Sequence, residues 1–230
     1  MDNAPIGIFD SGLGGLTVAR AVIDQLPDED IVYLGDTAHA PYGPRPIAEV
    51  RQLTLWGLDR LVEAGAKALV IACNTATAAA LSDARERHWV GQRIPVIEVV
   101  TPAARAAVVA THNHKIGVIG TQATIQSEAY VNALAAVPGL RVFQQACPLF
   151  VEYVEAGQTA GPELEGIARE YLAPLKEEGV DTLILGCTHY PLLTGVIGRV
   201  MGDNVRLVTS SATTANVTYN ELVDRDLLHA

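Results

Sequence analysis

Short apolar segments alternate with longer amphipathic segments along almost the whole chain of 230 residues. In the amphipathic segment 46–63, a proline opens the first turn and apolar residues recur at the spacing of a helix. Repeated strand–helix units form parallel sheets with helices on both faces, so the pattern predicts an α/β fold. Because crossovers between parallel strands are right-handed, the carboxyl ends of the strands should share one edge, where such folds bind ligands.

The alternation also predicts where the individual elements lie. Strands are predicted at 6–9, 31–34, 68–72, 96–99, 116–119, 142–146, 182–185 and 205–208. Helices are predicted at 16–26, 46–63, 76–87 and 162–176, with Gly65 ending the second of them. Three pairs of segments resemble each other at nearly equal separations: 6–9 with 116–119, those around Cys73 and Cys187, and 96–99 with 205–208. This agreement favours a duplication, with two similar lobes that are joined at 99–102 and 207–211 and face each other across a cleft.

Two of the three cysteines follow predicted strands and precede polar residues. They stand in Cys73-Asn74-Thr75 and Cys187-Thr188-His189. A thiol beside a helix N-terminus and polar side chains is expected to reach the thiolate state easily. Two such thiols in matched settings suggest an acid and a base on opposite faces of one substrate, which is what inversion of a carbon stereocentre by proton transfer requires. The third cysteine, Cys147, is interpreted as a small buried apolar residue.

The glycine-rich segment 10–15 follows the first predicted strand and opens a helix. Its glycines and free N–H groups suit a carboxylate or a phosphate. It is not a dinucleotide motif, because Thr17 stands where the third glycine belongs. The segment is either a tight turn in which Asp10 or Ser11 caps the helix, or part of a site. Its place on the predicted ligand-binding edge favours a functional Asp10.

Further polar residues follow other predicted strands. In the loop 35–44, Tyr42 offers a hydroxyl and Gly43 an N–H to a ligand, although a structural turn held by Asp36 fits the sequence equally well. Thr121 and Thr124 either cap the next helix or donate to a ligand carboxylate, and capping is the safer interpretation.

A cysteine hydrolase and a metal site are two alternative functions. Cys187 could act as nucleophile with His189 as its base, but side chains two residues apart near a strand end often diverge. The chain has no C-x-x-C or H-E-x-x-H motif, and His112-Asn113-His114 is interpreted as a surface turn, so no metal is expected. From composition alone, Glu152 is interpreted as a solvated helix residue.

Charge and composition exclude several classes of function. The net charge is −10, with 26 acidic against 16 basic residues, which disfavours nucleic acid and anionic membranes as partners. No apolar run approaches the ~18 to 20 residues that span a membrane. The N-terminus lacks the basic flank of a signal peptide, and an odd number of distant cysteines fits a reducing compartment. The sequence therefore predicts a soluble cytoplasmic protein.

Taken together, six motifs closely resemble the glutamate racemases, a family of cofactor-independent amino-acid racemases of bacterial cell-wall synthesis. The resemblance runs from about residue 5 to residue 220. The matching segments are Phe9-Asp10-Ser11-Gly12-Leu13-Gly14-Gly15-Leu16-Thr17-Val18, Gly35-Asp36 with Pro41-Tyr42-Gly43, Ala72-Cys73-Asn74-Thr75-Ala76, Gly117-Val118-Ile119-Gly120-Thr121, Cys147-Pro148-Leu149-Phe150-Val151-Glu152, and Leu185-Gly186-Cys187-Thr188-His189-Tyr190-Pro191-Leu192-Leu193.

The resemblance implies a role for each matching residue. Cys73 and Cys187 would be the paired acid and base, assisted by Asp10, Glu152 and His189. The implied contacts with L- or D-glutamate are Asp10, Ser11, Tyr42, Gly43, Asn74, Thr75, Thr121, Thr124, Thr188 and His189. The family needs neither a cofactor nor a metal, is usually dimeric and has two α/β lobes with the site between them. The implied lobes are 1–98 with 209–230, and 99–208.

Other functions on the same scaffold stay open. An aspartate or hydantoin racemase would share the two thiols, although the segments around His189 and Tyr42 favour glutamate by resemblance. A catalytically silent amino-acid-binding or regulatory protein would not need both cysteines. Family members commonly continue for several tens of residues beyond Leu228-His229-Ala230, and many place an aspartate within the segment that is 208–212 here. The resemblance implies that both departures bear on the first lobe and on full activity.

Overall fold

Two parallel sheets of four strands each form the framework of the computed structural model, which describes residues 2–229. In the first sheet, the strands lie in the order β2-β1-β3-β4, and in the second in the order β6-β5-β7-β8. Their bounds are β1 (Ile6–Asp10), β2 (Ile31–Gly35), β3 (Ala68–Ile71), β4 (Val96–Glu98), β5 (Lys115–Gly120), β6 (Arg141–Ala146), β7 (Thr182–Gly186) and β8 (Arg206–Thr209). All eight predicted strands are confirmed, each to within one residue at either end, and the matching strand orders confirm the two similar lobes.

Helices connect successive strands. They are α1 (Leu16–Gln25), α2 (Ile47–Glu63), α3 (Asn74–Ala84), α4 (Val100–Ala110), α5 (Gln122–Gln126), α6 (Ala129–Leu134), α7 (Leu149–Glu155), α8 (Pro162–Glu177), α9 (Thr194–Met201) and α10 (Ser210–Asp224). The predictions at 16–26, 46–63 and 162–176 are confirmed to within one residue. Gly65 ends the second of these segments with a φ of 87°, a conformation that favours glycine.

The predicted helix 76–87 is wrong at both ends. It begins earlier, at Asn74, because Cys73 precedes the first turn and its sulfur accepts a hydrogen bond from the N–H of Ala76 at 3.4 Å. At Arg85 it gives way to a π-helical segment, Arg85–Val90. The early start brings the N-terminus of α3 directly to Cys73.

The central strands of both sheets lie in the hydrophobic core. All residues of β1, β3 and β7 are buried, as are those of β5 after its first residue, whereas the edge strands β2 and β6 are mostly half-buried. Burial on both faces explains why these central segments are apolar runs without alternation. Within residues 2–229, no helix combines the length and the apolar character that crossing a membrane requires.

The chain leaves the first sheet after β4 and the second sheet after β8. After β4 it enters α4, which packs against α6 and β7, and after β8 it enters α10, which packs mainly against α1. We propose the lobe boundaries 1–98 with 209–230 and 99–208 on these contacts. Residues 1 and 230 of the first lobe lie outside the described residues.

Candidate active site

A cavity of about 480 Å³ lies between the two lobes at the carboxyl ends of their strands. The segments after β1, β2 and β3 line it from the first sheet, and those after β5, β6 and β7 from the second. Eleven of the predicted site residues line it: Ser11, Tyr42, Gly43, Cys73, Asn74, Thr75, Thr121, Glu152, Cys187, Thr188 and His189. The topology therefore gathers residues that are far apart in the sequence, as the sheet-edge argument predicts.

Asp10 and Thr124 lie behind the cavity wall. The carboxylate of Asp10 is buried, and its Oδ2 accepts a hydrogen bond from the N–H of Gly12 at 3.0 Å. Gly15, rather than Asp10 or Ser11, precedes α1, and no side chain caps that helix, so the capping alternative is wrong. Asp10 instead closes the loop on itself: besides its bond from Gly12, its side chain packs against Gly15, where a Cβ would lie 2.7 Å from the carboxyl carbon of Asp10.

The hydroxyl groups of three threonines join the two lobes. The hydroxyl of Thr75, on α3, lies 2.9 Å from that of Thr121 and 3.2 Å from that of Thr124. Thr121 also caps α5 by accepting a hydrogen bond from the N–H of Thr124, which confirms the capping interpretation for Thr121 but not for Thr124, which lies within the helix. Thr124 therefore holds the wall in place from behind rather than facing the cavity.

Asn74 is held by a residue that the sequence did not single out. The buried hydroxyl of Tyr130, on α6, donates to Oδ1 of Asn74 at 2.6 Å. This contact fixes the side-chain amide, whose Nδ2 is buried and has no hydrogen-bond partner within residues 2–229. Because Asn74 lines the cavity, the amide can donate to an oxygen of a bound ligand.

The loop after β2 combines both of its predicted roles. The hydroxyl of Tyr42 donates to Oδ2 of Asp36 at 2.7 Å, and Nδ1 of His39 lies 2.8 Å from Oδ1 of the same carboxylate. Asp36 therefore holds a structural turn. Tyr42 and Gly43 nevertheless line the cavity, and a Cβ at Gly43 would lie 3.0 Å from Cβ of Thr121 in the other lobe.

Cys187 and His189 are in contact, so the expected divergence of residues two apart is wrong. Sγ of Cys187 lies 3.6 Å from Nδ1 of His189. After β7 the chain turns sharply, with the N–H of Tyr190 donating to the carbonyl of Cys187, and the turn folds the imidazole back over the thiol. On its other side, Nε2 of His189 lies 2.5 Å from Oε1 of Glu155.

Glu155 is a second residue that sequence reasoning missed. It ends α7, which was not predicted as a helix, and it lines the cavity three residues after Glu152. Both side chains are exposed, as composition predicts for Glu152. The spacing of three residues between two glutamates is the signal that could have found it, because such residues share one face of a helix.

Burial, rather than the helix terminus, has the largest effect on the pKa values of the two thiols. Burial first, and then the carboxylate of Asp10, raise the pKa of the Cys73 thiol from 9.0 to about 11, against smaller opposing effects of Ser11 and Ala76. Burial also raises the pKa of Cys187. The expectation of easily formed thiolates is therefore wrong, because each thiol is over 90% buried and loses the water that would solvate its charge.

We expect the alkylation of Cys73 by iodoacetamide to accelerate roughly tenfold per pH unit from pH 7 to pH 10, because only the thiolate reacts. The rate at each pH is measured by mass spectrometry of the peptide that contains Cys73. The same peptide in urea serves as the control, with its titration midpoint near the ordinary thiol pKa of 9.0. A plateau in the folded protein below pH 8 would contradict the raised pKa.

The remaining candidates lie away from the cavity. Cys147 is fully buried in the second lobe, which confirms its interpretation as a small core residue. The segment 112–114 is an exposed turn, as predicted, with the N–H groups of His112 and Asn113 donating to Asp181. Within residues 2–229, no three His, Cys, Asp or Glu side chains are grouped so that they could hold a metal ion.

Comparison with known proteins identifies the family. The model of a family described as Asp/Glu/hydantoin racemase matches residues 14–218. The chain belongs to this family. Over 222 residues it is 62% identical to a glutamate racemase of Parafrankia, covering 96% of this chain and 79% of that protein. As a member of the Asp/Glu/hydantoin racemase family it is an enzyme, an isomerase, and this replaces the hydrolase alternative.

Solved structures of this racemase family share its fold. A glutamate racemase isoform from Bacillus anthracis is 43% identical with a TM-score of 0.94, covering 99% of this chain and 85% of that one. A glutamate racemase from Francisella tularensis in complex with D-glutamate is 37% identical with a TM-score of 0.92, covering 100% of this chain and 85% of that one. The predicted architecture of two α/β lobes is confirmed.

Proposed function

We propose that this enzyme interconverts L-glutamate and D-glutamate by moving the α-proton between two thiols. The observation that carries the proposal is that Cys73 and Cys187 follow the equivalent strands β3 and β7 and line one cavity from opposite lobes. A substrate held between them presents one face of its α-carbon to each sulfur. One thiol can then remove a proton while the other returns one from the opposite face.

Glutamate is the substrate that the relatives and the cavity favour. The Parafrankia relative is named a glutamate racemase, and the Francisella structure holds D-glutamate. The described residues that line the cavity offer neutral donors and include no lysine or arginine. Hydroxyl, amide and backbone N–H groups of this kind can bind two carboxylates despite the net charge of −10. The proposed substrate contacts are Ser11, Tyr42, Gly43, Asn74, Thr75, Thr121, Thr188 and His189, with Asp10 and Thr124 in support.

The first step must produce a thiolate, because burial raises the pKa of both thiols. For Cys187, Nδ1 of His189 lies 3.6 Å from the sulfur and can accept the proton. For Cys73, the hydroxyl of Ser11 lies 3.5 Å from the sulfur, and the N–H of Ala76 points at it. A bound amino acid adds its ammonium charge beside the sulfurs, which also favours the thiolate.

The second step moves the α-proton. The thiolate forms an S–H bond with that proton, and the electron pair of the broken C–H bond passes into the substrate carboxylate. The opposite thiol then gives its proton to the other face of the α-carbon and becomes the thiolate, so atoms and charge balance. The two cysteines exchange roles in each turnover, and the reverse reaction uses them in the opposite order.

Donors in the cavity wall lower the barrier of this step. Charge develops on the substrate carboxylate as the α-proton leaves, and hydrogen bonds from fixed donors strengthen with that charge. The amide of Asn74, fixed by Tyr130, and the hydroxyls of Thr75 and Thr121 are placed before substrate arrives. Exclusion of water from the cavity by a bound substrate would increase the effect of each donor.

Four further parts of the proposal come from the family resemblance. The enzyme would supply D-glutamate for peptidoglycan synthesis, would act in the cytoplasm and would form a homodimer. It would use neither a cofactor nor a metal, with α-proton transfer left to the two cysteines and their neighbours.

The experiment that tests the function is proton NMR of L-glutamate with purified enzyme in D₂O, combined with chiral analysis of the same tube. We expect the α-proton signal to disappear while D-glutamate forms at a matching rate. Aspartate and a hydantoin are the matched control substrates. Exchange with either of these, and none with glutamate, would overturn the glutamate assignment, and exchange with none of the three would favour a silent binding protein.

A further inference from the structure

We propose that Tyr130 is a positioning residue, which links the two segments that carry the thiols and orients the amide of Asn74 towards the substrate. This inference rests on the proposed two-thiol function and adds to it a residue outside the six family motifs. Tyr130 lies on α6 and is fully buried. Its hydroxyl contacts Asn74, which follows Cys73, and its ring lies against Gly186, which precedes Cys187.

The hydroxyl of Tyr130 determines which end of the Asn74 side chain faces the cavity. It donates to Oδ1 at 2.6 Å, and because burial raises the pKa of the phenol, the hydroxyl keeps the proton that it donates. Nδ2, which has no partner within residues 2–229, is then the atom left to bind the substrate. Without the hydroxyl, the buried Oδ1 would lose this partner, and the amide could turn an acceptor towards the substrate carboxylate, which binds donors.

The ring of Tyr130 packs against the other cysteine segment. Gly186 is the last residue of β7, and a Cβ there would lie 3.0 Å from Cε2 of Tyr130. Glycine at this position therefore lets the ring approach the strand closely. The ring also belongs to a hydrophobic cluster with members from both lobes. One rigid side chain thus spans the gap between the strand that precedes Cys187 and the residue that follows Cys73.

These two contacts tie the orientation of a substrate donor to the packing of the lobes. Asn74 comes from the first lobe and Tyr130 from the second, so their hydrogen bond forms only where the lobes meet. The packing that places the two sulfurs on opposite walls of the cavity therefore also points Nδ2 into it. The hydrogen bond from Nδ2 strengthens as charge develops on the substrate carboxylate, so Tyr130 should act more on kcat than on KM.

The test is Tyr130→Phe, which removes the hydroxyl and keeps the ring against Gly186. We expect kcat for glutamate racemisation to fall roughly tenfold, the size expected for one hydrogen bond, with a smaller change in KM. Tyr190→Phe is the matched control, because its buried hydroxyl also donates one hydrogen bond, at 2.8 Å to the carbonyl of Cys147 in the core of the second lobe. Loss of that hydroxyl should leave kcat unchanged.

A double variant shows whether Tyr130 acts through Asn74. Asn74→Ala removes the amide, so Tyr130→Phe should lower kcat no further in that background. The rigidity of the amide is measured without substrate, as the NMR order parameter of its N–H₂ group, whose signals are assigned by their loss in Asn74→Ala. The order parameter should fall in Tyr130→Phe and stay unchanged in Tyr190→Phe.

Four outcomes would overturn the proposal: an unchanged kcat in Tyr130→Phe, an equal loss in Tyr190→Phe, a further tenfold loss in the Asn74→Ala background, or an amide that stays rigid in Tyr130→Phe. Thermal unfolding of each variant distinguishes a local effect from a loss of fold. The order parameter needs no substrate, so failure of the glutamate assignment in the D₂O experiment leaves that part of the test intact.

Discussion

Replacing Cys73 or Cys187 by serine is expected to lower the rate of glutamate racemisation by roughly 10²- to 10⁴-fold, the range for loss of one general acid or base. A serine hydroxyl is far less acidic than a thiol, so it can neither form the base nor return the proton at neutral pH. Both cysteines should be equally indispensable, because each turnover uses one as base and the other as acid. The rate is measured by chiral analysis of the product from either enantiomer.

Cys147→Ala is the matched control for the two serine variants. This third cysteine is buried in the core of the second lobe and does not line the cavity, so its loss should leave turnover intact. Near-normal turnover in either serine variant would contradict the two-thiol mechanism. Unfolding temperatures of all three variants, compared with the unchanged enzyme, show whether an activity loss comes from the site or from the fold.

Exchange of the α-proton in D₂O gives a second test of the two-thiol mechanism. Each serine variant keeps one thiol, which faces one side of the α-carbon. Residual exchange in Cys73→Ser should therefore be confined to one enantiomer of glutamate, and in Cys187→Ser to the other. Exchange of both enantiomers by a single variant would mean that one sulfur reaches both faces, which two thiols on opposite walls of a cleft do not allow.

The fold and the positions of both thiols could be predicted because their signals are local. Each central strand is an apolar run buried on both faces, so its bounds can be found without knowing its neighbours. Cys73 and Cys187 directly follow such runs, and the rule that strand ends share one edge places both at the ligand-binding side. Nearly equal separations between similar segments were enough to predict the two lobes.

The pKa values of the two thiols could not be predicted, because they depend on which residues bury each sulfur. The sequence shows polar residues after each cysteine, and these suggested an easily formed thiolate. The structure buries both sulfurs between the lobes, and loss of solvent outweighs the neighbouring N–H groups. Burial of this kind comes from other elements of each lobe, since Cys73 packs in a cluster with Phe9 and Tyr42 and Cys187 in one with Ile119 and Phe150, so no local pattern shows it.

Contacts between the lobes could not be predicted for the same reason. The hydroxyl of Thr17 donates to the carbonyl of Thr188 at 3.2 Å, and that of Tyr130 donates to Asn74. Each contact joins residues of opposite lobes and therefore depends on how the two lobes are packed together. Thr17 was noticed only as the residue that breaks a dinucleotide motif, yet it tethers the segment that carries Cys187.

Gly14→Ala is expected to lower turnover by roughly 10²-fold, the effect of misplacing catalytic groups by about 1 Å. A Cβ at this position would lie 2.6 Å from Oγ1 of Thr188 and 2.7 Å from Cε1 of His189, both in the other lobe. Contacts that short cannot persist, so Thr188 and His189 must move. The imidazole would then leave its position 3.6 Å from Sγ of Cys187.

Gly195→Ala is the matched control, because a Cβ there has nothing within 4 Å and the residue lies on α9 outside the cavity lining. Both variants are assayed by chiral analysis, and both should keep the secondary structure measured by circular dichroism. Full turnover in Gly14→Ala would mean that the lobes separate at this point before catalysis. The contact of Gly14 with His189 would then belong to a resting state and not to the state that transfers the proton.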